Sequence, residues 1–202
     1  MTRAVLVSSS LVLLYVLTLA AAGDGDPGPP GPAELTVAER KAVRELAEQA
    51  LKDRGLLQGK VCLTNVEVFA DPADRASPRK VIVTHYRYEG NTVLQTSVDL
   101  GRRRVVSVET AAGLPTPLAP EETDAAVRLA RGHPEVQKFL ARAGASVTLE
   151  PLVVHSGMPG DPAFKHRVVN VLFRQGGYYR NRPAVDVDLT TETVYFYGDR
   201  RP

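Results

Sequence analysis

Residues 97–108, SVDLGRRRVVSV, and residues 186–197, DVDLTTETVYFY, share one layout at a constant spacing. Each carries Val-Asp-Leu, three mostly polar residues, and then a run rich in β-branched or aromatic side chains. Such runs bounded by turn-forming residues read as strands, so each stretch predicts the two arms of a β-hairpin. An Asp at the corner accepts turn N–H groups. Asp99 and Asp188 are therefore assigned a structural role. A general acid–base pair would require both carboxylates in one cleft with separated pKa values. Arg102-Arg103-Arg104 falls in the first of these turns and reads as a solvated cluster.

Upstream of the first hairpin, TVAERKAVRELAEQALKDRG (36–55) opens with Thr36 followed by Glu39, the spacing of a capping box. Val43, Leu46, Ala47, Ala50 and Leu51 then line one helical face, and Gly55 is a stop signal. Strand-like runs follow at 60–70, 80–88, 92–100 and 104–109. The same order recurs. Leu118, Glu122, Ala125, Leu129 and Ala130 are spaced as Leu35, Glu39, Ala42, Leu46 and Ala47 are. His133-Pro134 breaks that second helix, and a further helical stretch follows. Strands are predicted at 146–155, 166–175, 182–189 and 193–198, with Gly176-Gly177 as a turn. The expectation is an α+β fold of two tandem units, 35–112 and 113–202, each a helix on a four-stranded antiparallel sheet. Units this small bury little alone, so the two are expected to pack together or to lean on a partner.

The N-terminal end reads as an address. After Arg3, residues 4–22 are uncharged and close on Ala20-Ala21-Ala22. This pattern is that of a secretory signal peptide, and the alternative is an uncleaved anchor, since the run nearly reaches the ~20 residues of a membrane span. Residues 23–34 are a Gly/Pro-rich spacer. Either reading puts the rest of the chain outside the cytoplasm, secreted or periplasmic. A membrane contact is expected only if the segment is retained.

The chain of 202 residues has a formal net charge of +2, too small to suggest a nucleic-acid partner. The single cysteine, Cys62, forbids an internal disulfide and sits in a strand pattern as a small apolar residue. No Gly-x-Ser-x-Gly or Gly-rich phosphate loop occurs. Of the four histidines, His155 and His166 stand at facing strand ends and are weak metal-ligand candidates; exposed strand-end residues are the plainer reading. His85 alternates with Val81 and Val83 and reads as a core-bordering or surface residue. No cofactor is called for. Tyr178, Tyr179, Tyr195 and Tyr197 concentrate late in the chain. Tyrosine offers a large rigid contact with a polar tip, so these four are the candidate interaction face, with inter-unit packing as the competing reading.

Three stretches carry a family resemblance: TVLQTSVDLGRRRVVSVE, LPTPLAPEETDAAVRLARGHPEVQKFL and YYRNRPAVDVDLTTETVYFY. Together and in this order they resemble the paired small cystatin-like domains that precede the catalytic domain of copper amine oxidases. In that family a large C-terminal domain holds a tyrosine-derived quinone and a copper bound by three histidines. The present sequence has no His-x-His and no Asn-Tyr. The resemblance therefore implies a non-enzymatic protein-interaction module. It also leaves open an accessory chain of a separately encoded oxidase, and by fold analogy a protease inhibitor or propeptide-like module acting through residues 114–117 or 157–160.

Overall fold

Helix α1, Val37–Asp53, starts where the capping box predicts. Thr36 Oγ1 accepts from Glu39 N at 3.2 Å, and Glu39 Oε2 accepts from Thr36 N at 2.8 Å. Val43, Ala47 and Leu51 form its buried stripe, four residues apart as one helical face requires. Gly55, at φ +66°, ends it, and its N–H donates to Lys52 O. The computed structural model describes residues 34–69, 79–144, 146–155, 158–161, 163–180 and 182–198. The signal and spacer readings of residues 1–33 lie outside them.

Strands β1 (Val61–Phe69), β2 (Lys80–Arg87), β3 (Thr92–Asp99) and β4 (Arg104–Ala112) form an antiparallel sheet in sequence order. Val81, Val83 and Val98 point to α1 and pack with Val43, Ala47 and Leu35. In the second half, α2 (Pro120–Gly132) and α3 (Pro134–Ala143) each begin with proline, which suits a position whose N–H has no helical partner. Strands β5 (Val147–Val154), β6 (Val168–Gln175), β8 (Ala184–Asp188) and β9 (Thr193–Gly198) pair in that order, and β7 (Tyr178–Arg180) also pairs with β6.

The chain is thus α+β with two antiparallel sheets; the second half departs from the expected four strands, while its helical segment divides at His133-Pro134 as the sequence predicts. Gly176 and Gly177, at φ +59° and +86°, turn the chain straight back. Such a two-residue turn needs positive φ at both positions, and it adds the three-residue β7. The helix is split because Pro134 holds His133 in an extended conformation, ψ 128°.

The corner aspartates hold their turns as predicted. Asp99 Oδ1 accepts from Arg102 N at 2.9 Å. Asp188 Oδ1 accepts from Thr190 N and Thr191 N at 2.8 and 3.2 Å. Asp188 has more partners: Oδ2 also meets His166 Nδ1 at 2.6 Å and the Thr191 hydroxyl at 2.8 Å. Burial opposes its ionisation, but the His166 bond, the Thr191 hydroxyl and the turn N–H groups hold its pKa below the ordinary carboxylate value. Replacing Asp188 with alanine is expected to cost on the order of 3 kcal/mol, more than Asp99→Ala, whose carboxylate has fewer partners. Urea unfolding of the two variants checks the order.

All described residues belong to one compact unit. Cys62, Tyr86, Tyr88 and Val93 lie on the face of the first sheet turned away from α1. They are buried together with Ala126 and Ala130 of α2 and Val169, Phe173 and Val187 of the second sheet. Lys60 Nζ spans the halves to donate to Leu189 O at 2.9 Å. Because that apolar face is continuous, the two halves share a core.

Candidate functional site

Side-chain alternation sorts the tyrosines. Val194 and Phe196 pack on the shared core, and His133 stacks on Phe196 with centroids 5.7 Å apart. Tyr195 and Tyr197 therefore take the opposite face, where their rings stack at 6.5 Å and 13°. Pairing places Tyr195 opposite Asp186, Asp186 opposite Asn170, and Asn170 opposite Leu152. Among the described residues this face carries no helix, and Leu152 is 58% exposed on it.

Tyr179 stands opposite Arg174 and shares the face. Its hydroxyl donates to Glu150 Oε2 at 2.6 Å, and the Arg174 guanidinium lies 5.9 Å from its ring. The bond to Glu150 raises the Tyr179 pKa. Tyr178, 80% exposed, pairs with Gln175, whose amide bonds Ala143 O at the end of α3. It points to the helix side. The four tyrosines predicted as one face thus divide: three share the open face and Tyr178 stands apart, because neighbours on a strand alternate.

The histidines separate likewise. His166 is engaged by Asp188. His155 Cε1 lies at the end of β4, where a side chain on Gly113 would stand 3.9 Å from it. Among the described residues no group of three His, Cys, Asp or Glu side chains is placed to hold a metal. His85, expected at a border, is 3% exposed, and both its ring nitrogens lack hydrogen-bond partners. Burial first, and the nearby Arg44 charge second, push its pKa down to about 4.

The chemically densest place in the molecule lies where the halves meet. Arg167 and Glu122 are each 3% exposed. Arg167 Nε and Nη2 donate to the two Glu122 carboxylate oxygens at 3.0 and 2.9 Å. Nη1 donates to the hydroxyl and carbonyl oxygens of Thr116 at 2.9 and 3.2 Å, and Nη2 reaches Pro117 O at 2.7 Å. All five guanidinium donors are thereby used. Glu122 also accepts from the Tyr88 hydroxyl at 2.6 Å and from Ala119 N at 2.9 Å. The Tyr86 ring lies under the guanidinium at 4.5 Å. Burial opposes Glu122 ionisation, yet the Arg167 and Tyr88 bonds hold its pKa below the ordinary value. Burial and the Glu122 charge push the Cys62 thiol up to about 12, so it is not a reactive thiolate.

Sequence reasoning found Glu122 as a helix-start residue and missed Arg167. A signal existed. Arg167 immediately precedes β6 as Arg79 precedes β2, and Arg79 Nη1 pairs with the capping Glu39 at 3.0 Å.

No family model matches the chain, and no curated protein sequence matches it. A solved structure does: a copper-containing benzylamine oxidase from Hansenula polymorpha. The likeness has a TM-score of 0.55 and 12% sequence identity, covering 80% of this chain and 29% of the oxidase. It is a likeness of fold. The chain spans under a third of that oxidase's length.

Proposed function

We propose that this chain is a non-catalytic, extracytoplasmic protein-interaction module built of two related cystatin-like α+β units. The stacked Tyr195–Tyr197 pair carries the reading, on a sheet face that no helix covers among the described residues. A stacked aromatic pair offers rigid contact area at little entropic cost, which suits a docking surface. The duplicated design is supported by equivalent bonds in each half. Leu100 N donates to Arg79 O at 3.0 Å and Leu189 N to Arg167 O at 2.8 Å, beside the two Glu–Arg pairs. The fold likeness to the oxidase also supports the accessory-chain reading, in which the partner is a separately encoded oxidase. The inhibitor-like reading draws on Met158, which is 72% exposed.

The test is capture from the native extracytoplasmic fraction with the full chain as bait, beside a Tyr195→Ser/Tyr197→Ser variant. The expected result is a partner retained by the parent and lost by the variant, with the melting temperature within about 2 °C. A fall of about 8 °C or more would make the pair a packing element and overturn the reading. An oxidase among the retained proteins would select the accessory role, and a protease the inhibitor role.

A further inference from the structure

Strand β1 is an edge of the first sheet, and its backbone polarity follows from its pairing. Tyr88 N donates to Lys60 O at 3.0 Å, and on the other side of β2 Leu100 N donates to Arg79 O. Even-numbered residues of β2 thus turn their N–H and C=O groups to β1, and odd-numbered residues to β3. Cys62, Asn65 and Glu67, opposite Tyr86, Thr84 and Ile82, use their backbone groups inward. A register shift at Thr64 separates these positions. Leu63, Val66 and Val68 turn theirs to the outer edge, which no strand among the described residues pairs.

That edge lies in a groove of about 340 Å³ whose lining includes Leu63 to Val66. Arg40 and Arg44 of α1 form one wall, and Pro120 with Glu121 at the start of α2 closes the other. Arg40 Nη1 already reaches Val66 O at 3.4 Å, which confirms the outward direction of that carbonyl. Arg44 makes no ion pair with any described residue. An exposed edge bearing unpaired N–H and C=O groups is a template for another strand, and a slot between an edge strand and a helix is how extended peptides are bound by strand addition.

We propose that the free edge of β1 takes an extended acidic segment of a partner protein as an added strand, its carboxylates meeting Arg40 and Arg44. Charge selects this occupant, because the two arginines outnumber the single carboxylate, Glu121, in the groove's lining. Two copies of this chain paired edge to edge about a two-fold axis would set like arginines against each other. The groove is separate from the tyrosine face and does not depend on it.

The probe is the hexapeptide acetyl-Glu-Val-Asp-Val-Glu-Val-amide, titrated into the full ¹⁵N-labelled chain. Its counterpart acetyl-Lys-Val-Lys-Val-Lys-Val-amide is titrated in parallel. The expected result is saturable shifts at the Leu63, Val66 and Val68 amides, with the acidic peptide binding about tenfold tighter, as two charge contacts imply. Arg40→Glu/Arg44→Glu, at exposed positions, should abolish that preference while leaving the other amide signals in place. The Tyr195→Ser/Tyr197→Ser variant should bind the peptide unchanged. Absence of shifts at millimolar peptide would overturn the proposal, as would equal binding of both peptides. Shifts at the same amides on simple dilution would also overturn it, by showing a second copy as the occupant.

Discussion

Replacing Arg167 with methionine is expected to cost about 3–5 kcal/mol of folding stability, among the largest losses any single substitution here would produce. The side chain is removed, but the Glu122 carboxylate remains 3% exposed. It keeps the Tyr88 hydroxyl and Ala119 N, while both guanidinium donors are gone. The backbone and hydroxyl oxygens of Thr116 and the carbonyl of Pro117 lose their donors too. An uncompensated buried charge is far worse than no pair at all, so the double variant Arg167→Met/Glu122→Gln should recover more than half of the loss. A neutral amide can still meet Tyr88 and Ala119. Urea unfolding with matched slopes measures both. A loss under about 1 kcal/mol for the single variant would show that the ion pair contributes nothing to holding the halves together. Cys62 and Tyr86 also adjoin this place, and both have pKa values pushed up to about 12, mainly by burial. Stability attributable to their neutral forms is full below about pH 9, where the unfolded thiol begins to ionise, and is lost as the pH rises from there towards 12.

The second large effect is acid sensitivity at His85. Its neutral ring is enclosed with no hydrogen-bond partner on either nitrogen. Leu63 stands across from it on β1 and Leu94 on β3. Arg44 of α1 is the charge that acts on it, and it is of the wrong sign to stabilise an imidazolium. The folded pKa, about 4, lies below the ordinary value of 6.5, so the unfolded chain takes up the proton first. Stability attributable to the neutral ring is full above about pH 6.5 and is lost as the pH falls towards 4. The loss amounts to about 3 kcal/mol between pH 7 and pH 4. His85→Leu keeps the volume and removes both the proton site and two unpartnered nitrogens. The variant should be at least as stable as the parent at pH 7, and more stable by a margin that widens by about 3 kcal/mol on acidification. Glu122, whose pKa is lowered, loses its own contribution as the pH falls through its folded value. The difference between parent and variant cancels that common part. A margin that stays constant from pH 7 to pH 4 would show that the ring finds a partner on protonation.

Several features of the molecule are written within a few residues of each other. Thr36 and Glu39 cap α1 across three positions, and Asp99 holds Arg102 N over the same span. Asp188 holds Thr190 and Thr191 N–H groups, and Gly176-Gly177 turns a hairpin. Helix starts, strand runs and hairpin corners were legible for this reason: their bonds close locally. The three-residue β7 escaped, because a run that short has no periodicity to read.

The candidate site was legible by half. Period-two alternation alone puts Tyr195 and Tyr197 on one face of β9, and it also separates Tyr178 from Tyr179. That this face is, among the described residues, the one without a helix is a property of the packed sheet. The groove at β1 was likewise invisible, since its walls come from α1 and α2, and an edge exists only once the strand order does.

By itself the sequence determined the helices, most of the strands and their turns, and the aromatic alternation of the last strand. Tertiary structure decided what charge and burial do. Arg167 meets Glu122 across 45 residues and Thr116 across 51, and His85 becomes an enclosed base because α1 and its neighbouring strands surround it. A side chain's solvation depends on everything that packs around it, and no local pattern of residues records that.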